Sequence, residues 1–380
     1  MQNITLTLNG EYWDTQLYSR KLYLFGAEGQ LIIVNWDEVI GGIVAKIPQH
    51  NVTMHAAFLE SDILYSRSAK LMLKDPAINT YVLNSFSMLA SQDLEISLNR
   101  YNKTQYVEFD SGLPFPHSDS EIYYNNLYVS LRDGIYSKPS STRKKNQTVR
   151  LSDIPSSSIK ASNQYSSLAF AAGQEGLYEL RVGNEKVDAK IVSKNHCSEC
   201  NWSYFNISGT SHVSDSFFVA FKKESVNKSS QKKMRIFDRV ISAEEIFGAR
   251  GYSWGVHDKV YMDVGGKIEA AQYYQSKDKS PKFKRLPPLE LQDWKGEVVS
   301  AGVAPFGTII ECENAIVVVC SDGVVKTFPG EPVNWRVFNN TQYYRNQLHI
   351  IYDDKIEIHS FYHDYFVDQK VKNSGIDVER

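Results

Sequence analysis

Few residues in this chain are of a type and spacing that could do chemistry. "HCSEC" at 196–200 sets Cys197 and Cys200 at the separation that lets two thiolates reach one metal ion, and His196 adds a third donor. A tetrahedral zinc site needs a fourth ligand, and Cys312 and Cys320 form no second pair of that kind. Metal at His196, Cys197 and Cys200 is therefore not expected. A thioredoxin-type redox role belongs beside a βαβ unit, whereas this context reads as strand and loop. "HSFYHDYF" brings His359, His363 and Asp364 together near the C-terminus. As an alternating strand it puts both imidazoles on one sheet face. With no carboxylate-rich constellation beside them, they are expected to face solvent on an outer strand. His257-Asp258 adjoins a strand and is expected to help a turn.

Nucleophilic catalysis needs an activated Ser, Cys or Thr with a positioned base. No Gly-X-Ser-X-Gly elbow occurs, and neither a phosphate-binding Gly-X-X-X-X-Gly-Lys-Ser/Thr loop nor a Gly-X-Gly-X-X-Gly fingerprint is present. "DVGGKIE" contains Gly-Gly-Lys, but Ile268 supplies no metal-binding hydroxyl, and the stretch reads as a hairpin turn. No catalytic residue and no cofactor is assigned.

Charge is more informative. Three polar stretches are strongly basic: Arg143, Lys144, Lys145 and Arg150 in the first; Lys222, Lys223, Lys228, Lys232, Lys233 and Arg235 in the second; Lys277, Lys279, Lys282, Lys284 and Arg285 in the third. On one face they would make a surface for phosphates or an acidic protein. As separate solvated loops they would serve only solubility. Phe283 is the single aromatic within them, whereas a single-strand nucleic-acid platform interleaves bases with rings. The formal net charge of −2 excludes a chain that coats nucleic acid along its whole length.

The elements that must carry these residues are strands. The chain has 380 residues, 42 % hydrophobic and 23 % charged, enough apolar material for a sizeable core. Its 23 Tyr and 18 Phe favour pleated surfaces. One unit recurs, an apolar run, a Gly or Asp turn, then an alternating run. It turns at Asp133-Gly134, Gln174-Glu175-Gly176, Gly265-Gly266, Asp322-Gly323 and Asp353-Asp354, and "KLYLFGAEGQLIIVNWD" at 21–37 has the same form. Fainter units lie within 55–110, where "HAAFLESDILYS" reads as strand, and within 203–240. "SAEEIFGAR" is the best helical candidate, with Ser242 and Glu245 at capping-box spacing. "SRSAKLMLKD" at 66–75 is ambiguous between helix and strand.

Repeats of roughly 30–55 residues predict an all-β propeller of about seven blades, the last combining the C-terminal hairpin with the N-terminal strand. Two stacked β-sandwiches would also give short, regularly spaced strands. The expected organisation is one domain over 1–380, with polar or basic insertions near 139–164, 222–235 and 275–288. "MQNITLTLNGEYWD" reads as a strand rather than a signal peptide, and no stretch approaches a membrane span. A cytoplasmic protein with no membrane partner follows, its four cysteines reduced and its Asn-X-Ser/Thr sites unmodified.

"EGQLIIVNWD" resembles the third strand of a WD40 repeat, closed by Trp36-Asp37. "SDGVVKTF" and "RDGIYSK" share the turn and the start of that strand without the Trp-Asp, and the Gly-His dipeptide of such repeats is missing. The resemblance is to a divergent WD40-like propeller. It implies a disc with a central channel whose surfaces bind other macromolecules. The expected function is a non-enzymatic interaction scaffold with one or more protein partners, a subunit of a larger complex. The alternative is a polyanion-binding propeller, with Arg143, Lys144, Lys145, Lys222, Lys223, Lys232, Lys233, Lys282, Lys284 and Arg285 meeting nucleic acid or a phosphorylated partner. A divergent propeller hydrolase or lyase is the residual reading.

Overall fold

The computed structural model describes residues 1–61, 63, 66–98, 106–140, 148–162, 164–182, 188–225, 233–276, 280–290 and 297–362. The chain opens with β1 (Asn3–Asn9) and continues into blade 1 with β2 (Tyr12–Tyr18), β3 (Lys21–Gly26) and β4 (Gln30–Asn35). A helical insert follows, α1 (Trp36–Val44), α2 (Asn51–Phe58), α3 (Arg67–Met72) and α4 (Pro76–Ala90), then β5 (Leu94–Ile96) and β6 (Tyr106–Asp110). β6 completes blade 1 beside β4, and β5 runs parallel to β1.

Blade 2 comprises β7 (Asp119–Tyr123), β8 (Asn126–Leu131), β9 (Gly134–Pro139) and β10 (Val149–Ser152). Blade 3 comprises β11 (Ser158–Ala161), β12 (Ser167–Ala171), β13 (Leu177–Arg181) and β14 (Ala189–Ser193). Blade 4 has β15 (Glu199–Ser203), β16 (Asn206–Thr210), β17 (Phe217–Ser225) and β18 (Lys233–Ser242). After α5 (Ala243–Phe247), blade 5 has β19 (Ser253–Val256), β20 (Lys259–Val264), β21 (Lys267–Gln275) and β22 (Pro281–Glu290). Blade 6 has β23 (Ser300–Ala304), β24 (Gly307–Cys312), β25 (Ala315–Cys320) and β26 (Val325–Pro329). Blade 7 begins with β27 (Asn334–Val337), β28 (Gln347–Ile351) and β29 (Lys355–Phe361). Its fourth strand is β1, antiparallel to β29 from Asn3 opposite Phe361 to Asn9 opposite Lys355. These are the blades of a seven-bladed β-propeller, with the termini joined in one sheet as the alternation of "NITLTLNG" and "KIEIHSF" predicts.

Two compact units divide the chain. Blades 2–5 make the unit Leu113–Gly302, and the other takes Met1–Gly112 with the described residues from Val303 on. Second strands sit deepest: every residue of β12, β16 and β28 is buried. β1 alternates, burying Ile4, Leu6 and Leu8 in a core shared with Trp36, Phe58, Phe86, Ile356 and Ile358. Four of the five hairpin turns read from the sequence lie between second and third strands, and the fifth, Asp322-Gly323, joins the third and fourth strands of blade 6.

The helical insert was not foreseen. "HAAFLESDILYS", read as strand, begins inside α2, and "SRSAKLMLKD" contains α3. Local chemistry starts these helices well enough: the Asn35 side chain accepts from Glu38 N at α1, and Asp75 accepts from Ala77 N ahead of Pro76 at α4. α5 forms where expected, Ser242 accepting from Glu245 N at 3.1 Å and Gly248 ending it in a left-handed turn at φ 73°. No helix among the described residues is long and apolar enough to cross a membrane.

Candidate interaction surfaces

α4 carries no charged residue over its whole length, "PAINTYVLNSFSMLA". Its inner face buries Val82, Ser85, Phe86 and Leu89, and the Ser85 hydroxyl is bonded to Thr53 Oγ1 and His50 Nδ1, each at 2.7 Å. The outer face is apolar as well. Tyr81, Leu83 and Met88 are exposed, and α3 adds Leu71 and Met72, which are 69 % and 59 % accessible. Residues 51–90 hold eight of the twenty exposed large apolar side chains among the described residues, a concentration rather than scattered exposure.

The basic candidates lie in the unit of blades 2–5, beside the hairpins that join third and fourth strands. Arg143, Lys144, Lys145 and Lys232 fall outside the described residues, as do Lys228, Lys277 and Lys279, and the Lys233 side chain is not described. Lys222 Nζ stands 3.4 Å from Glu224 and 3.8 Å from Asp238. Lys223 Nζ lies 4.8 Å from the centre of the Phe205 ring. Lys282 and Lys284 are exposed on the outermost strand β22. Arg285 is held by Glu269 at 2.5 Å and lies over Phe247. Arg235, read as part of a basic patch, is instead nearly buried: it pairs with Glu179 at 2.6 Å, and its guanidinium carbon sits 3.4 Å from the centre of the Phe221 ring, with Trp202 and Tyr165 further round. It ties blade 3 to blade 4.

Against known proteins, no family model and no curated protein sequence matches the chain. Among solved structures, the β-propeller domain of Cps50 (Swd1) from Myceliophteria thermophila superimposes at a TM-score of 0.57 with 7 % identity, over 95 % of this chain and all of that one. The fold is that of a β-propeller. The WD40 propeller domain of Doa1 gives a TM-score of 0.38 at 10 % identity, over 66 % of this chain and 95 % of that one.

Within this propeller the Trp-Asp dipeptide has moved. β4 ends at Asn35, and Trp36 opens α1 while its backbone N–H still reaches Arg20 O at 3.0 Å. The buried indole donates to Phe58 O at 2.8 Å, so the Trp fastens the insert to its blade. Asp37 pairs with Arg20, which also meets Glu60. The "HCSEC" thiols are interior. Cys197 Sγ donates to Glu199 O, and burial pushes both thiols up, Cys200 to about 12, while His196 Nδ1 is 2.8 Å from Ser211 Oγ. Among the described residues no three His, Cys, Asp or Glu side chains are placed to hold a metal.

His359 is buried, not solvent-facing. Its Nδ1 is 2.9 Å from Thr5 Oγ1 of β1, and Phe328 covers its ring at 4.3 Å. His363 lies outside the described residues. Reading the sequence for motifs missed the buried pairs between first strands of adjacent blades. Asp14 of β2 takes two bonds of 2.6 Å from Arg336 of β27, and Asp119 of β7 takes Lys160 of β11 at 2.8 Å. It also missed the α3–α4 face, although a signal existed: residues 76–92 contain no Asp, Glu, Lys, Arg or His.

Proposed function

We propose that the protein is a non-enzymatic interaction scaffold that docks a protein partner on the outer face of α3 and α4, as a subunit of a larger assembly. The charge-free α4, exposing Tyr81, Leu83 and Met88, carries this reading. A surface helix in water ordinarily has a polar outer face, and one that is apolar on both sides is half of a contact. The propeller fold supports a binding role only in general, because a fold can host many functions.

The test is affinity purification from native cells, comparing the parent with Tyr81→Glu/Met88→Glu. Both positions are exposed, and loss of the bond from the Tyr81 hydroxyl to Gln49 O should lower the melting temperature only slightly. A specific protein recovered with the parent and lost with the variant supports the reading. Identical recovered sets from the two would reject this face as the docking surface.

A further inference from the structure

In the unit of blades 2–5, each blade is four antiparallel strands in chain order, so its first-to-second and third-to-fourth turns fall at the same end. The first strands of adjacent blades lie side by side, β7 against β11, β11 against β15 and β15 against β19, which brings those ends together on one side of the unit. Three of its first-to-second turns have two residues, and each opens on a ring-bearing residue in the left-handed region: Tyr124 at φ 46°, Tyr204 at φ 56° and His257 at φ 59°. A tight hairpin needs positive φ there, which Gly meets without strain and Asn, Asp and His meet more readily than other residues, whereas Tyr meets it at a cost. Turn formation alone gives no reason for the two tyrosines. The corresponding turn of blade 1 has Ser19-Arg20 instead.

These rings lie at one end of their blades and meet other rings there. Tyr124 lies 4.3 Å from Tyr123, whose hydroxyl donates to Tyr165 O at 2.6 Å. Tyr165 stacks on the buried Trp202 at 6.4 Å, and two residues on from Trp202 the half-buried Tyr204 lies 5.2 Å from the half-buried His257. Tyr124 is 60 % accessible, although tyrosine rings in a settled fold are mostly covered. Basic groups flank the rings from the third-to-fourth hairpins, Lys223 over Phe205 and Lys282 with Lys284 on β22. Of the acids nearby, Glu179 is paired with Arg235, and Asp258 accepts from the neutral Gln272 amide at 2.8 Å and keeps its negative charge beside His257. Basic and aromatic groups that are far apart in sequence thus share one end of blades 4 and 5.

We propose that this end of the unit binds single-stranded nucleic acid, unpaired bases stacking on Tyr124, Tyr204 and His257 and phosphates meeting Lys223, Lys282 and Lys284. Stacking tolerates any base, and the lysines track the backbone. A duplex keeps its base faces covered, and a phosphorylated peptide has no use for the rings, so neither fits this end as well.

Fluorescence anisotropy with a labelled oligouridine of about 20 nucleotides tests this on the full chain. The parent should bind it more tightly than a duplex of equal length or a phosphoserine peptide, with affinity falling as salt rises. Tyr124→Asn/Tyr204→Asn/His257→Asn suits the left-handed turns, so it should melt at or above the parent temperature while losing at least about tenfold in affinity. Lys223→Ser/Lys282→Ser should flatten the salt dependence. Absence of oligouridine binding by the parent, equal binding of duplex or phosphopeptide, or a triple variant that melts and binds like the parent would each overturn the proposal. Partner capture by the α3–α4 face is read separately and is untouched by these variants.

Discussion

His349 on β28 is enclosed, with Thr15 Oγ1 3.4 Å from Nδ1 and Gln347 Oε1 3.3 Å from Nε2. Burial lowers its pKa to about 3, with His359 adding to the shift and Asp14 opposing it. The ring is therefore neutral in the folded protein. Unfolded, it takes a proton below about pH 6.5, so the stability it contributes is present above that pH and is lost as pH falls towards about 3. Between about pH 6.5 and 5, above the ordinary carboxylate range, this histidine should add a slope of up to about 1.4 kcal/mol per pH unit. His349→Gln keeps a neutral polar side chain, so urea midpoints measured across that window should fall less steeply than in the parent. An unchanged slope would mean that His349 is not held neutral.

Hairpin elements differ in how strictly they need their glycines. At Gly134, φ is 136° and an added β-carbon would stand 2.0 Å from the carbonyl oxygen of Ser152, a backbone atom that cannot move aside. Gly323 has φ 83°, and nothing lies within 4 Å of a β-carbon there. Gly134→Ala should therefore lose about 3 kcal/mol or more, through strain plus displacement of β10. Gly323→Ala should lose about 1 kcal/mol, the conformational strain alone. Urea midpoints at unchanged m separate the two, and equal losses would show that the blade 2 strands yield more easily than their packing implies.

At the scale of the whole molecule, closure depends on β1. It supplies the fourth strand of blade 7, pairs with β5 on its other side, and buries Ile4, Leu6 and Leu8. Deleting residues 1–10 leaves β29 with an open edge and removes three side chains worth roughly 1.5–3 kcal/mol each. The truncated protein should aggregate or melt far below the parent in light scattering and calorimetry. A monomer with an unchanged melting curve would show that blade 7 is complete without the N-terminus.

The blades themselves were determined by the sequence, because a hairpin is local: an apolar run, a turn residue that tolerates positive φ, and an alternating run lie within some fifteen residues of one another. The short helix at Ser242 was legible for the same reason, since its cap and its first turn are neighbours. The insert was not, because "NVTMHAAF" and "PAINTYVLNSFSMLA" mix β-branched, aromatic and small residues, and helices of such sequence are settled by what one face buries. Alternation told that Ile356, Ile358 and Ser360 oppose Glu357 and His359, but not that β1 and Phe328 would cover the histidine. Only the tertiary structure decided the candidate surfaces. Tyr124, Tyr165, Tyr204 and His257 stand in four separate turns, and the stacking of one blade on the next brings those turns to one end of the unit, a relation between repeats that no local pattern encodes.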